Sequence, residues 1–335
     1  MIMKNTNRIR VKLQYLAAVL LLACPLRSSA YNVKGDINNS GKADISDVTF
    51  LINKLLTHDI QWIYDINGDG KVNIADVTAL INYLLTGEWP WADIEGPAMP
   101  DNAVVYMVNG YRIVMVPVEG GTFMMGSNIS GELASPVHEV TLSDYSIGMT
   151  EVTNGLWKAV TGSYPVCYTE ALDNDNTPVS YCSWDMAKEF ITQLNGLTGL
   201  AFRLPTEAQW EFAARGGNLS KGYLYSGSDD IDEVAWYHTS TLQHEVGLKK
   251  PNELGLYDMS GNMMEFCEDD YTGYHSEPQV DPLYNPDPLR NKKIVRGGSA
   301  WSTFAYECTV STRKRSSYQT QHGVNIYDAG FRLAL

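Results

Sequence analysis

The sequence predicts an α+β protein in two parts: a small all-α module of paired loop-helix units, then a larger domain of short strands and few helices. Three observations predict this. A 29-residue repeat sets the same Asp/Asn-rich, glycine-centred loop before the same apolar helix twice. Asn109-Gly110 then separates two alternating apolar runs, a hairpin signal. Beyond it only three stretches read as helices, in a chain otherwise rich in Gly, Asn, Asp and Tyr.

With 335 residues, 44% hydrophobic and 19% charged, the chain can fill one sizeable core and one small one. Residues 1–30 join Lys4, Arg8, Arg10 and Lys12 to the apolar run Leu16 to Ala23 and to Ser28-Ser29-Ala30, which is signal-peptide grammar with cleavage after Ala30. A lipoprotein site at Cys24 is the competing reading, and Pro25 and Leu22 on either side fit it less well. The expected location is secreted, periplasmic or cell-surface. The apolar run is too short for a membrane span, and none follows. The net charge of −14 becomes about −19 without this leader, which excludes nucleic acid and anionic lipid as natural partners and suits cations.

The repeat shows where cations would sit. Oxygen side chains fall at loop positions 1, 3, 5, 9 and 12, as Asp36, Asn38, Ser40, Asp44 and Asp47, and again as Asp65, Asn67, Asp69, Asn73 and Asp76. Position 7 offers the carbonyls of Lys42 and Lys71, and Gly41 and Gly70 allow the sharp turn between. Calcium wants about six to eight oxygens, so each loop predicts one calcium ion. Helices follow over Val48 to Leu56 and Val77 to Leu85. This doublet, residues 33–86, resembles a type I dockerin, and the resemblance implies a cohesin-type domain as partner. A calcium staple against the neighbouring domain is the alternative use. Residues 87–101, punctuated by Pro and Gly, read as a linker whose Trp89 and Trp91 pack on something.

The large domain, 102–335, opens with strands over Val104 to Val108 and Tyr111 to Val118. Helices are expected over Thr153 to Val160, Ser183 to Asn195 and Pro205 to Arg215. So loop-rich a domain calls for metal or disulfide support. Four cysteines remain after the leader, an even number in an exported chain, and the pairs Cys167–Cys182 and Cys267–Cys308 are the candidate bridges.

Six motifs run in order along this domain: Gly121-Thr-Phe-Met-Met-Gly126, Glu151-Val-Thr-Asn154, Pro178-Val-Ser-Tyr-Cys-Ser-Trp184, Arg203 to Arg215, Gly255 to Asn262, and the terminal segment from Arg296-Gly-Gly-Ser299 to Gly330-Phe-Arg-Leu333. Together they resemble the formylglycine-generating, sulfatase-modifying factor family. The resemblance implies a modified C-type-lectin fold with little regular secondary structure. It also implies one calcium held by the Asp258 and Glu265 side chains and the Gly261 and Met263 carbonyls, where Glu265 could otherwise serve as a cap or ion-pair partner. The family's other calcium site departs at Ala235-Trp236, where an Asn is expected.

The catalytic positions depart as well. The family's oxidase holds copper on two thiols, the first three residues past the serine matching Ser299 and the second five further on. Ser302 and Glu307 stand there, with Cys308 adjacent. A hydroxyl cannot replace a thiolate for Cu(I). Met264 replaces the family's groove tryptophan. The histidines His138, His238, His244, His275 and His322 show no ligand or triad spacing. Two functions follow. One is a non-catalytic, calcium-binding scaffold that takes a protein or glycan ligand on Trp301, Tyr306, Tyr318 and Tyr327, assembled by its dockerin in a polysaccharide-degrading context. The other is an oxidase converting a sulfatase cysteine to formylglycine, with copper as cofactor and Cys308 and Ser299 as surviving catalytic residues.

Overall fold

The computed structural model describes residues 37–38, 42–57, 74–86, 97–129, 133–164, 175–238, 243–284, 292–316 and 328–335. The expected leader with Cys24, the loop ligands Asp36, Ser40, Asp65, Asn67, Asp69, Lys71 and Asn73, the linker 87–96, Cys167, and Tyr318 and Tyr327 lie outside the described residues.

In the small module the two helices are α1 (Ile45–Thr57) and α2 (Ile74–Thr86). Their buried faces repeat with the sequence: Val48 and Leu51 of α1 meet Val77, Ala79 and Leu80 of α2 in one apolar cluster. Position 12 of each loop, Asp47 and Asp76, is fully buried at its helix start. The Asp47 carboxylate organises the first loop, accepting the backbone N–H of Asn38 at 3.1 Å and of Asp44 at 2.8 Å. Asp44 in turn accepts the N–H of Ser46 at 2.8 Å, as an N-cap does.

The large domain begins with the expected hairpin, β1 (Val104–Val108) and β2 (Tyr111–Val118), and β5 (Tyr145–Gly148) completes this sheet in the order β1-β2-β5. A second sheet orders β3 (Gly121–Met125), β4 (His138–Leu142) and β7 (Gln279–Val280). A third orders β10 (Ala329–Gly330), β6 (Met264–Asp270), β8 (Lys293–Arg296) and β9 (Arg313–Arg315). The three expected helices are present, each with a side-chain cap at its start. Thr153 caps α3 (Asn154–Thr161), Ser183 caps α4 (Trp184–Thr198), and Thr206 forms a capping box with Gln209 on α5 (Glu207–Ala214). Gly162 and Gly199 end the first two in the left-handed conformation. A short helix α6 (Ile231–Val234) follows.

Aromatic packing joins these pieces. Trp157 of α3 stacks on Phe190 of α4 at 5.2 Å, and Phe331 meets both rings edge-on, tying the C-terminal segment to the helices. Electrostatic cross-links do the same deeper inside. Arg332 pairs with Glu265 on β6, Arg296 of β8 with Glu211 on α5, and Arg313 of β9 with Glu207 on α5, all essentially without exposure. The terminal nitrogens of Arg296 also donate to the carbonyls of Val310, Ser311 and Thr312, while its Nε–H is buried without a partner, and those of Arg332 donate to Gly148, Met149 and Tyr257. Irregular loops thus gain the partners that a sheet would have supplied.

The disulfide expectation is corrected. Cys182, Cys267 and Cys308 are all free and buried. Cys182 sits in the core cluster of α3 and α4, Cys267 in the cluster behind α5, and Cys308 in a small one with Tyr225, Val234 and Ala235. Each acts as a small apolar residue in its own core, so the even count carried no pairing.

Replacing Arg332 by Ala strands the Glu265 carboxylate in the core, and denaturant unfolding should show a loss of about 3–5 kcal/mol or no folded protein at all. Leu248→Ala, at an exposed position, should stay within about 0.5 kcal/mol of the parent.

Candidate functional site

The terminal loop between β8 and β9 places the four residues in question. Gly297 and Gly298 both have left-handed φ values of 91° and 71°. A Cβ on Gly298 would lie 2.6 Å from the Cys308 sulfur, so the loop closes over that thiol only because position 298 is glycine. Ser299 is buried, and its hydroxyl donates to Asp328 at 3.0 Å. Its N–H donates to the Ser302 hydroxyl at 3.0 Å. Ser302 therefore holds the turn.

Glu307 holds it from the other side. Its carboxylate accepts the backbone N–H of Thr303 at 2.8 Å and of Phe304 at 3.1 Å, and it pairs with Lys314 at 2.5 Å. Burial raises its pKa, but these bonds outweigh burial and leave it below the ordinary value. Cys308 is fully buried, and burial pushes its thiol up to about 12 despite a hydrogen bond with Ser302. At neutral pH it is a thiol, a poor nucleophile and a poor copper ligand. Neither Cys182 nor Cys267 helps, since burial raises both. Among the described residues no second thiol stands beside it. Met264, where an aromatic groove residue was expected to be lost, packs into the core with Val179 and Phe331.

On the surface of the same loop Phe304 and Tyr306 are 57% and 43% exposed, their rings stacked at 5.6 Å and 14°. Trp301 is half-buried beside them in sequence. The sequence reading included Trp301 and Tyr306 but not Phe304, for which loop conformation was the missing signal.

The expected calcium motif lies at a turn made by three left-handed residues, Asp258, Gly261 and Asn262. Asp258 Oδ2 accepts the Gly247 N–H at 2.7 Å, whereas Oδ1 is buried without a partner. Glu265 is more committed than expected. Its Oε2 accepts from Arg332 at 2.5 Å and from the Trp210 indole at 2.7 Å, and its Oε1 accepts from Arg332 at 2.6 Å, which leaves lone-pair capacity on Oε1 alone.

A third carboxylate was missed. Glu151 is buried and neither of its oxygens has a hydrogen-bond partner. Burial and then the fields of Asp258 and Glu265 raise it well above the ordinary carboxylate range. Asp258 is raised to about 6 chiefly by burial. Three carboxylates thus share one guanidinium, Arg332, leaving a deficit of two positive charges when all are ionised. Glu151 Oε1 and Oε2 and Asp258 Oδ1 are three orphaned acceptor oxygens in one field, and among the described residues no group of three acidic, His or Cys side chains is placed to hold a metal ion. Glu151 stood within a quoted motif, and only its tertiary neighbours reveal the charge.

Comparison with known proteins identifies the family. The model of the sulfatase-modifying factor enzyme 1-like domain matches residues 112–335. The chain belongs to that family. The dockerin type I model matches residues 34–85 and 63–102, so a dockerin module precedes the family domain. A chaperone protein, LppX of Paenibacillus barcinonensis, is 30% identical over 238 residues, covering 55% of this chain and 77% of its own. The formylglycine-generating enzyme of Streptomyces coelicolor is 29% identical over 177 residues, covering 48% of this chain and 52% of its own. The kinase Pkn1 of Chlamydia trachomatis is 26% identical over 220 residues, covering 61% of this chain but only 36% of its own. Among solved structures, Treponema denticola variable protein 1 superposes with a TM-score of 0.57 at 28% identity, over 70% of this chain and 99% of that one. PvdO of Pseudomonas aeruginosa shares the fold, with a TM-score of 0.54 at 21% identity over 67% and 94%.

Alkylation followed by mass spectrometry should find Cys182, Cys267 and Cys308 unmodified in the native protein and all three modified in denaturant. A native-state adduct on Cys308 would contradict its burial.

Proposed function

We propose that this member of the family is a non-catalytic, exported, calcium-binding scaffold that presents a ligand face on its terminal loops and is assembled through its dockerin. The observation that carries the reading is the state of the thiol positions. Ser302 and Glu307 stand where copper-binding thiols would be, both spent on holding the loop, and Cys308 is buried and protonated. Soft Cu(I) has no ligand pair there. The exposed ring stack of Phe304 and Tyr306, with Trp301 and with Tyr318 and Tyr327 from the sequence, supports contact with a protein or glycan. Two similar proteins are called a chaperone and a variable protein, and this chain is read with them rather than with the oxidase.

Calcium would occupy the two dockerin loops and one seat in the large domain, where Asp258 and Glu151 would supply charged oxygens beside the Gly261 and Met263 carbonyls and Glu265 would anchor Arg332. A cohesin-type domain is the expected dockerin partner, and export follows from the leader-like residues 1–30. A polysaccharide-degrading assembly is the setting this combination suggests.

Titration with Cu(I) and incubation with a cysteine peptide of sulfatase type should give neither tight copper binding nor an aldehyde. Both together, lost on Cys308→Ser, would restore the oxidase reading. Calcium chelation should melt α1 and α2, seen as lost helical circular dichroism.

The large-domain seat predicts a pH signature. Asp258 loses its proton near pH 6 when folded and uncomplexed, against 3.8 when exposed. Between those values the unfolded chain binds fewer protons than the folded one, so metal-free stability falls as pH rises from about 4 to about 6. Calcium competes with that proton and removes the fall. With both dockerin loops disabled by Asp36→Ala and Asp65→Ala, the rise in melting temperature on adding calcium should grow across this window and vanish in Asp258→Asn. A rise that ignores pH, or survives the substitution, places the ion elsewhere.

A further inference from the structure

Arg112 lies on β2 and is half-buried, yet it has no hydrogen-bond, ion-pair or ring partner among the described residues. Burial lowers its pKa, and no carboxylate offsets that loss of water. The deeper Arg296, Arg313 and Arg332 each face a glutamate. A guanidinium drawn partly out of water without a counter-charge is costly, so its surroundings should show what answers it. They form a cavity of about 50 Å³ between β2, the end of β5 at Gly148 and the first turn of α3. Thr150, Thr153, Leu156 and Leu333 line it together with Arg112. Thr153 Oγ1 accepts the Leu156 N–H at 3.3 Å, which leaves its own hydrogen free to donate. Because Thr153 and Leu156 stand at the start of α3, the positive end of that helix faces the cavity. The N–H groups of Asn154 and Gly155 are already spent on the carbonyls of Thr177 and Asp175, so the helix supplies field rather than donors. Glu151 also lines the cavity without answering Arg112. Neither of its oxygens has a partner, and after burial the charges acting on it are those of Asp258, Glu265 and Arg332.

We propose that Arg112 and this cavity bind a free short-chain carboxylic acid in its ionised form, of the size of acetate or propionate. Size, charge and shape each point to that class. One water takes roughly 10–15 Å³ of such space, so about 50 Å³ holds about four heavy atoms, the number in acetate. The planar guanidinium fork meets a carboxylate through two parallel hydrogen bonds, and the Thr153 hydroxyl can give a third. Leu156 and Leu333 offer the alkyl end an apolar wall. A doubly charged tetrahedral anion would ask for a second cation, and Arg112 is the one basic residue in the lining. The net charge of −14 opposes anions at a distance, so contact geometry rather than long-range attraction selects this ligand. None of the exposed ring residues of the terminal loop lines the cavity, which makes this a separate site.

The test titrates methyl-labelled acetate into the full chain in saturating calcium at fixed ionic strength, followed by NMR, with propionate, sulfate and phosphate as competitors. Acetate should bind saturably and be displaced by propionate, but not by sulfate or phosphate at the same concentration. Arg112→Gln should weaken binding about tenfold or more, the loss expected for a charge-assisted pair. Arg112→Lys keeps the charge without the fork and should fall between the two. Circular dichroism checks that both variants are folded. No saturable binding to the parent chain overturns the proposal. Binding that ignores Arg112→Gln overturns it by placing the anion elsewhere, and equal displacement by sulfate overturns it by showing general anion attraction. A blocked glutamate peptide that binds about tenfold tighter than propionate overturns the free acid and assigns the cavity to a partner's side chain.

Discussion

Three arginines lie inside the large domain, Arg296, Arg313 and Arg332, and the remaining architecture depends on how their charges are met. Each faces a glutamate that is itself buried, and terminal guanidinium nitrogens of each also reach loop carbonyls. A charge taken out of water without a partner would cost many kcal/mol, so these pairs tolerate few rearrangements. They act as a template for irregular backbone. Because α5 contributes two of the glutamates and β6 the third, one short helix and one strand fix the path of the loops that carry the site.

Much of the local structure was legible. The Asn-Gly hairpin lies where the alternating pattern placed it, since turn chemistry and strand period agree there. Thr153, Ser183 and Thr206 begin their helices because a side-chain oxygen at that position satisfies an otherwise free N–H. The dockerin repeat was legible because its apolar positions recur along with its oxygens. What escaped was everything set by distant pairing. Arg313 and Glu207 are 106 residues apart, and nothing local marks them as partners. Glu151 looked like part of a motif until Asp258 and Glu265 were seen to share its field. The cysteines misled for a related reason: an even count in an exported chain describes opportunity, while three separate core clusters decided the outcome.

The small number of regular elements also explains why the Trp301 to Tyr306 loop and the Asp258 turn both lean on the C-terminal segment. Asp328 ties Ser299 by its side chain and Met264 by its carbonyl, so the terminal segment touches the thiol loop and the strand after the Asp258 turn at once. Any ligand pressing on the Trp301 to Tyr306 loop pushes on a segment already anchored through Arg332 to Glu265. That loop is mounted on rigid parts.

Glu307 has a structural task at the position where a second thiol would be expected. Had this position merely drifted away from cysteine, two substitutions could bring back a thiol pair. Instead its carboxylate receives two backbone N–H groups and the Lys314 ammonium, and it keeps the 3-10 turn under Phe304 and Tyr306 in shape. Putting cysteine there would leave those donors unanswered and unseat the ring stack. On the non-catalytic reading proposed above, a thiol pair at this place would first require a loop rebuilt around new partners for these donors.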